Sequence, residues 1–295
     1  MPEWMREFPV METEWLRAIN KSFDEGYLAF SRNFGEAIET FFDPLLYLLI
    51  WFEQLLLQSP WIVVLAAILL IAGLASRSVK ITLGVAAAFL LIGYFGMWQD
   101  TMRTLAIILV CTIIAVAIGI PVGIYMSRSD RAEAVIRPIL DVMQTMPIFV
   151  YLIPVVMLLG LGKIPGMIAV VVYSIPPVIR LTNLGIRLVD RDVLEAADSF
   201  GATSMQRLLQ VQIPLALPNI MAGINQTIMM ALSMVVIASM IGVKGLGQPV
   251  LQAVTNQYFA LGLFNGAAVV ALAIVFDRVS QSYGSRIQKF RQAGE

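Results

Sequence analysis

Long stretches of this chain carry no formal charge, and they limit what it can fold into more than any other feature. Twenty-three uncharged residues separate Glu53 from Arg77, 19 separate Lys80 from Asp100, and 24 separate Arg103 from Arg128. Asp141 to Lys163 encloses 21 and Lys163 to Arg180 encloses 16, while Arg207 to Lys244 and Lys244 to Asp277 enclose 36 and 32. A helix needs about 20 mainly apolar residues to cross a bilayer core. The two longest runs exceed one span, but Pro214 and Pro218 interrupt the first, and Gly245-Leu246-Gly247-Gln248-Pro249 interrupts the second. The pattern predicts seven spans, near 60–75, 79–98, 102–126, 139–160, 165–187, 219–243 and 258–276. A soluble core would have to hold several helices with no polar face.

Composition supports the same class. Hydrophobic residues form 59% of the 295-residue chain and charged residues 14%, against about 45–50% and 25% in soluble domains. With no His at all, histidine metal sites, Ser-His-Asp triads and imidazole relays are excluded. The single Cys111 forms no intrachain disulfide or thiolate cluster. No G-x-x-x-x-G-K-[ST] loop occurs, so the chain lacks the usual phosphate cradle.

The net charge of zero hides an asymmetry. Residues 1–59 hold ten acids and four bases, a net of −6, and the remainder is +6. Alternate loops and the tail collect 13 bases: Arg77 and Lys80; Arg128, Arg131 and Arg137; Arg180, Arg187, Arg191 and Arg207; then Arg278, Arg286, Lys289 and Arg291. The opposite loops carry Arg103, Lys163 and Lys244. By the positive-inside rule the base-rich side is cytoplasmic. Seven spans then place the N-terminus outside and the C-terminus in the cytoplasm. The acidic start resembles no signal peptide. Trp15, Ile19, Phe23, Tyr27 and Phe30 recur at helical spacing, so residues 1–59 are expected to be an acidic extracytoplasmic segment. Within it, residues 1–43 form either an amphipathic helix or a loose tail, and 44–57, broken by Glu53, lie in the outer interface.

One cytoplasmic loop, residues 180–212, is unusually long and polar. Asp192 is expected to cap a short helix to Phe200, with Gly201 as its left-handed stop. Thr203 or Ser204 would cap a second helix, Met205 to Gln212, ended by Pro214. Two short helices meeting at a glycine form a knob suited to receiving force from a partner.

Within that loop Glu195-Ala196-Ala197, three residues, Gly201, nine residues and Val211-Gln212-Ile213-Pro214 resemble the EAA signature of ABC-importer permeases, EAA-x3-G-x9-I-x-L-P, with Val211 and Ile213 as conservative replacements. The stretches 141–154, 219–227, 231–242 and 245–247 are similar to permease subunits of the glycine betaine/proline betaine/choline (osmoprotectant) type, and the likeness covers roughly residues 44–285. The resemblance implies an all-α polytopic membrane protein with a five-helix permease core over 99–278, including a coupling loop at 188–214. Two accessory helices would occupy 60–98 and a basic tail 279–295. It further implies that two copies of this chain pair with two cytoplasmic ATPases, which bind ATP and Mg, and receive solute from an extracytoplasmic binding protein. No cofactor or metal belongs to the chain itself, no enzymatic activity is expected, and its surroundings are lipid, not nucleic acid. The solute would be glycine betaine, choline or a related methylated amine.

Site expectations follow. Glu195, Ala196, Ala197, Gly201, Val211, Ile213 and Pro214 would couple to the ATPase, with Glu195 hydrogen-bonded or ion-paired to a base such as Arg207. Gln144, Thr145 and Tyr151 in the fourth span and Asn225, Gln226, Ser233 and Ser239 in the sixth are candidate pathway residues, unless they bridge helices or bond backbone carbonyls. Gly245, Leu246 and Gly247 would form an outer gate or meet the binding protein, unless they are only a tight loop. Pro147, Pro154 and Pro176-Pro177 are hinges or static kinks. The competing class is a self-sufficient channel or secondary carrier, although no midplane acid of the kind an ion-driven carrier keeps is visible.

Overall fold

A computed structural model describes the backbone of residues 10–292 and the side chains of residues 10–284. Glu3, Arg6 and Glu7 of the acidic segment, and the side chains of Arg286, Lys289 and Arg291 of the basic tail, lie outside the described residues. The described chain is almost entirely helical: α1 Thr13–Gln58, α2 Trp61–Ser76, α3 Val79–Tyr94, α4 Trp98–Arg128, α5 Asp130–Thr145, α6 Ile148–Leu159, α7 Lys163–Ser174 and α8 Pro176–Arg187. They are followed by α9 Arg191–Ser199, α10 Ser204–Gln206, α11 Ile213–Ala238, α12 Gly247–Asn256 and α13 Phe259–Gln292.

Five helical stretches are long and apolar enough to cross a membrane: Thr13–Gln58, Trp98–Arg128, Lys163–Arg187, Ser204–Ile241 and Phe259–Gly284. The pair Asp130–Thr145 and Ile148–Leu159 makes a sixth if its 95° bend is counted within one span. The expected span at 139–160 is therefore a corner, with the break at Pro147, one of the expected hinges or kinks. Pro147 forces the preceding Met146 into extended backbone (ψ 132°), which no helix can continue. The expected spans at 60–75 and 79–98 appear as α2 and α3, of 16 residues each. At 1.5 Å per residue each is about 24 Å long, short of a ~30 Å hydrocarbon core. Trp98 opens α4, because the chain turns through Gly96 at φ 77°. The 46-residue α1 runs unbroken through Pro44, so the expected division at residue 43 is not a structural boundary.

The core is built where α8 packs between α4 and α11. Small residues permit the approach. A Cβ on Gly123 of α4 would stand 2.7 Å from the Ile179 carbonyl and from Thr182 Cβ of α8. Such close helix contacts replace the hydrophobic driving force that lipid does not supply. Met102, Ile108, Val170, Met234, Val235 and Leu272 fill the main cluster, and Leu49 near the end of α1 joins it. The α7/α8 break falls at Pro176, which stands at the first position of α8 and needs no helical donor there.

Candidate functional site

The Asp190–Pro214 loop is a built knob. Asp190, not the expected Asp192, caps α9 by accepting the Asp192 N–H at 3.0 Å. At the other end Gly201 adopts φ 79° and donates its N–H to the Asp198 carbonyl at 2.9 Å, while Ala202 donates to the Ala197 carbonyl at 3.1 Å. These two bonds are the Schellman stop, and its left-handed residue is one that only glycine adopts at no steric cost. Thr203 then opens α10 with a capping box: its hydroxyl accepts the Gln206 N–H at 3.3 Å, and its own N–H reaches Gln206 Oε1 at 2.9 Å.

The second knob helix does not end at Pro214. Residues Arg207–Gln212 open into wider π-type turns that run directly into α11. Widening the turn ahead of Pro214 leaves room for a ring that would otherwise collide with the previous turn. Arg207 pairs with Asp198 at 2.5 Å rather than with Glu195. The Schellman turn brings the last turn of α9 against the next helix, so Asp198 is within reach and Glu195 stays exposed. Leu208 anchors the base against Ile186, Ala216 and Ile220, and Val211, Ile213 and Pro214 are half-buried beside it. Ala196 is exposed and Ala197 half-buried. At the tip Phe200 is 93% exposed, in company with exposed Val193, Met205 and Leu209. The knob is held by its caps and by one ion pair, and it presents an apolar face.

Ion pairs tie the knob's supporting helix to α5. Arg187 of α8 meets Asp130 at 2.8 Å and Glu133 at 3.0 Å, and Arg180 meets Asp141 at 2.6 Å. Arg137 pairs with Glu133. The α5/α6 corner itself is braced by Tyr151, which is buried and donates its hydroxyl to the Met143 carbonyl across the bend. Gln144 and Thr145 lie exposed at that corner, with the Thr145 hydroxyl bonded back to the Asp141 carbonyl at 2.9 Å.

The four α11 candidates separate. Gln226 and Ser233 are exposed on one face, two turns apart, and exposed Ala222 and Met240 extend that stripe. Asn225 turns the other way. Its Nδ2 donates to Asp277 of α13 at 3.0 Å and its Oδ1 accepts from Ser280 at 2.6 Å, so it bridges two helices. Ser239 is buried in the short 3-10 turn after α11 and bonds the Val236 carbonyl at 2.6 Å. Gly245, Leu246 and Gly247 are all buried. The Leu246 N–H donates to Thr104 Oγ1 at 2.9 Å. A Cβ on Gly245 would lie 2.6 Å from that oxygen, and one on Gly247 2.7 Å from Val236 Cα. This turn is wedged into the bundle and offers no free surface of its own.

At the opposite end from the knob stands a cluster that no motif announced. Glu53 of α1 pairs with Lys163 at the start of α7 at 2.5 Å and approaches Arg103 of α4 at 3.8 Å, while Arg103 also meets Asp100 at 2.9 Å. Its only signal in the sequence was a lone acid inside an apolar stretch. Asp277 was missed because it closes an uncharged run and reads as a span edge.

Against this geometry stand three comparisons. The family model described as "Binding-protein-dependent transport system inner membrane component" matches residues 115–289. The glycine betaine/proline betaine transport system permease protein ProW of Escherichia coli (strain K12) is 48% identical over 243 residues, which are 82% of this chain and 68% of that protein. The glycine betaine/carnitine transport permease protein GbuB of Listeria monocytogenes serotype 1/2a (strain 10403S) is 50% identical over 197 residues, 67% of this chain and 70% of that one. Among solved structures, a chain of the MetNI methionine ABC transporter in an inward-facing conformation superposes with a TM-score of 0.57 at 20% identity. That match covers 62% of this chain and 92% of the other, and at such identity it establishes the fold alone.

Proposed function

The chain belongs to the binding-protein-dependent transport system inner membrane components, multi-pass permeases of the inner membrane, and from that premise we propose how its parts act. The chain is the permease subunit of an ATP-driven importer for glycine betaine or a related methylated amine, the class that the names of ProW and GbuB print. The observation that carries this reading is the knob: a capped, ion-paired, apolar-tipped element continuous with α11. Pushed from its tip, it moves α11 and, through Leu208 and Ile186, α8. A separate ATPase binds and hydrolyses ATP with Mg and docks on the knob through Val193, Phe200 and Met205. Ala196 and Ala197 admit its close approach, and Glu195 offers it a free carboxylate.

Two copies of the chain enclose the route. The exposed α11 stripe of Gln226, Ser233 and Met240 is weakly polar, so it passes a zwitterion without holding it, and Gln144 and Thr145 lie at the mouth formed by the α5/α6 corner. Asn225, Tyr151 and Ser239 act by holding helices in place. The Gly245–Gly247 turn acts on an outer gate by fixing α12 to α4, while a binding protein delivers solute to that end.

The knob end faces the cytoplasm and the N-terminus lies outside. Two of the three bases assigned to the outer loops, Arg103 and Lys163, are neutralised by Glu53 and Asp100, which supports that orientation. Helix α1 touches the α6–α7 end of the bundle through both Gly35, against the Leu158 carbonyl, and Glu53. These contacts lie about 27 Å apart along α1, which supports a helix lying across that end. Reconstitution with candidate ATPase and binding-protein partners, screened over betaine, choline, carnitine, proline and trimethylamine oxide, tests the proposal. ATP-dependent uptake is expected. Uptake by this chain alone, driven by an ion gradient, overturns it.

A further inference from the structure

Helices α3 and α13 run side by side with a groove of about 370 Å³ between them, within the ~300–1,000 Å³ range of small-molecule sites. Val85, Ala88, Ala271 and Ile274 line it, and Lys80 and Arg278 stand at one end. Gly84 deepens it, since a Cβ there would meet nothing within 4 Å. Lys80 lies one turn before Gly84 on α3, and Arg278 one turn beyond Ile274 on α13. Two antiparallel helices thus place both bases at the same mouth. Neither base has an ion-pair partner among the described residues. The neighbouring Asp277 does not serve, because it faces α11 and is held there by Asn225 and Gln281.

That mouth is at the knob end of the molecule. Gly284 abuts Met221 and Asp277 meets Asn225, so this half of α13 lies beside the first half of α11, which leads out of the knob. With the proposed orientation this is the inner leaflet, where anionic headgroups lie. The groove walls face outward, with Ile274 56% exposed, so an occupant enters from the lipid phase. An apolar trough ending at two cations without ion-pair partners among the described residues matches an amphiphile with an anionic head. Lys supplies a point charge and Arg a forked donor, both suited to phosphate.

We propose that the α3/α13 groove is a binding site for one anionic phospholipid, its acyl chain over Gly84 and its phosphodiester between Lys80 and Arg278. The site lies away from the α11 stripe and goes beyond the transport reading, on which only its leaflet depends.

The test is native mass spectrometry of the full chain in detergent, titrated with dioleoyl phosphatidylglycerol or dioleoyl phosphatidylcholine. Wild type is expected to prefer phosphatidylglycerol by about tenfold or more, since each base near the surface contributes about fivefold. K80Q/R278Q should bind the two lipids alike. G84F, whose Cβ would enter open space, should lower the retention of both lipids while keeping the wild-type circular dichroism spectrum. Equal binding of both lipids by wild type overturns the proposal. So does undiminished phosphatidylglycerol binding by folded K80Q/R278Q or by folded G84F. No ATPase enters the assay, so this result stands or fails separately from the transport assignment.

Discussion

Replacing Gly201 isolates the backbone contribution to coupling. The residue sits at φ 79°, and no atom lies within 4 Å of where its Cβ would be. A substitution there therefore meets strain without collision. Holding an ordinary L-residue in the left-handed region costs about 1–2 kcal/mol, which lowers the equilibrium constant for closing the Schellman turn by roughly 5–30-fold. If the ATPase binds only the knob with that turn closed, its apparent affinity falls by up to the same factor, the full loss appearing where the turn is open in most free molecules, because binding is weakened by the fraction that is competent. Valine should approach the upper limit, alanine lie lower, and asparagine, which tolerates this region, be nearest to wild type. The assay is titration of purified ATPase subunits onto detergent-solubilised permease, followed by uptake in proteoliposomes. Excess ATPase should restore uptake to the weaker variants. Equal losses for Ala, Asn and Val, insensitive to ATPase concentration, would show that contact with the partner governs this position and not its φ, and would refute the reasoning.

Further substitutions probe the scaffold. Gly123→Val drives a side chain into Ile179 and Thr182 and should cost at least 1–3 kcal/mol, lowering the thermal midpoint, whereas Gly266→Ala, whose site is open, should leave it unchanged or slightly raised. Asn225→Leu removes both of its bonds to α13, and the half-buried Asp277 should then cost about 1–3 kcal/mol in stability. The double substitution with Asp277→Leu should destabilise less than the sum of the singles, and lost uptake at unchanged stability would return Asn225 to the pathway. Glu53→Gln leaves Arg103 and Lys163 facing each other and should lower the melting temperature, an effect that added salt reduces; an unchanged midpoint would show that α1 is held by its apolar contacts alone.

The spacing of charges by itself determined that this chain is helical and membrane-embedded, because a bilayer leaves the backbone few alternatives and 20-residue uncharged runs have no other stable use. Local rules also fixed the turn between the knob's two helices: Gly201 and Thr203 fall where capping chemistry requires them, since a helix terminus is decided by neighbours within a turn or two. Beyond that range the sequence was ambiguous. Asn225 and Gln226 are adjacent and equally polar, yet one bridges to Asp277 while the other faces outward, because 100° of helix rotation chooses between them. Glu195 was the expected partner of Arg207, but the turn at Gly201 brings Asp198 within reach instead. Pro147 announced a break but not its 95° angle, which depends on what α5 and α6 each pack against. Glu53 looked like a flaw in an apolar stretch, and only the assembled bundle shows Lys163 and Arg103 waiting for it from residues far along the chain. Tertiary structure decided these matters because such pairings join residues that share no local geometry, and no periodicity in the sequence encodes them.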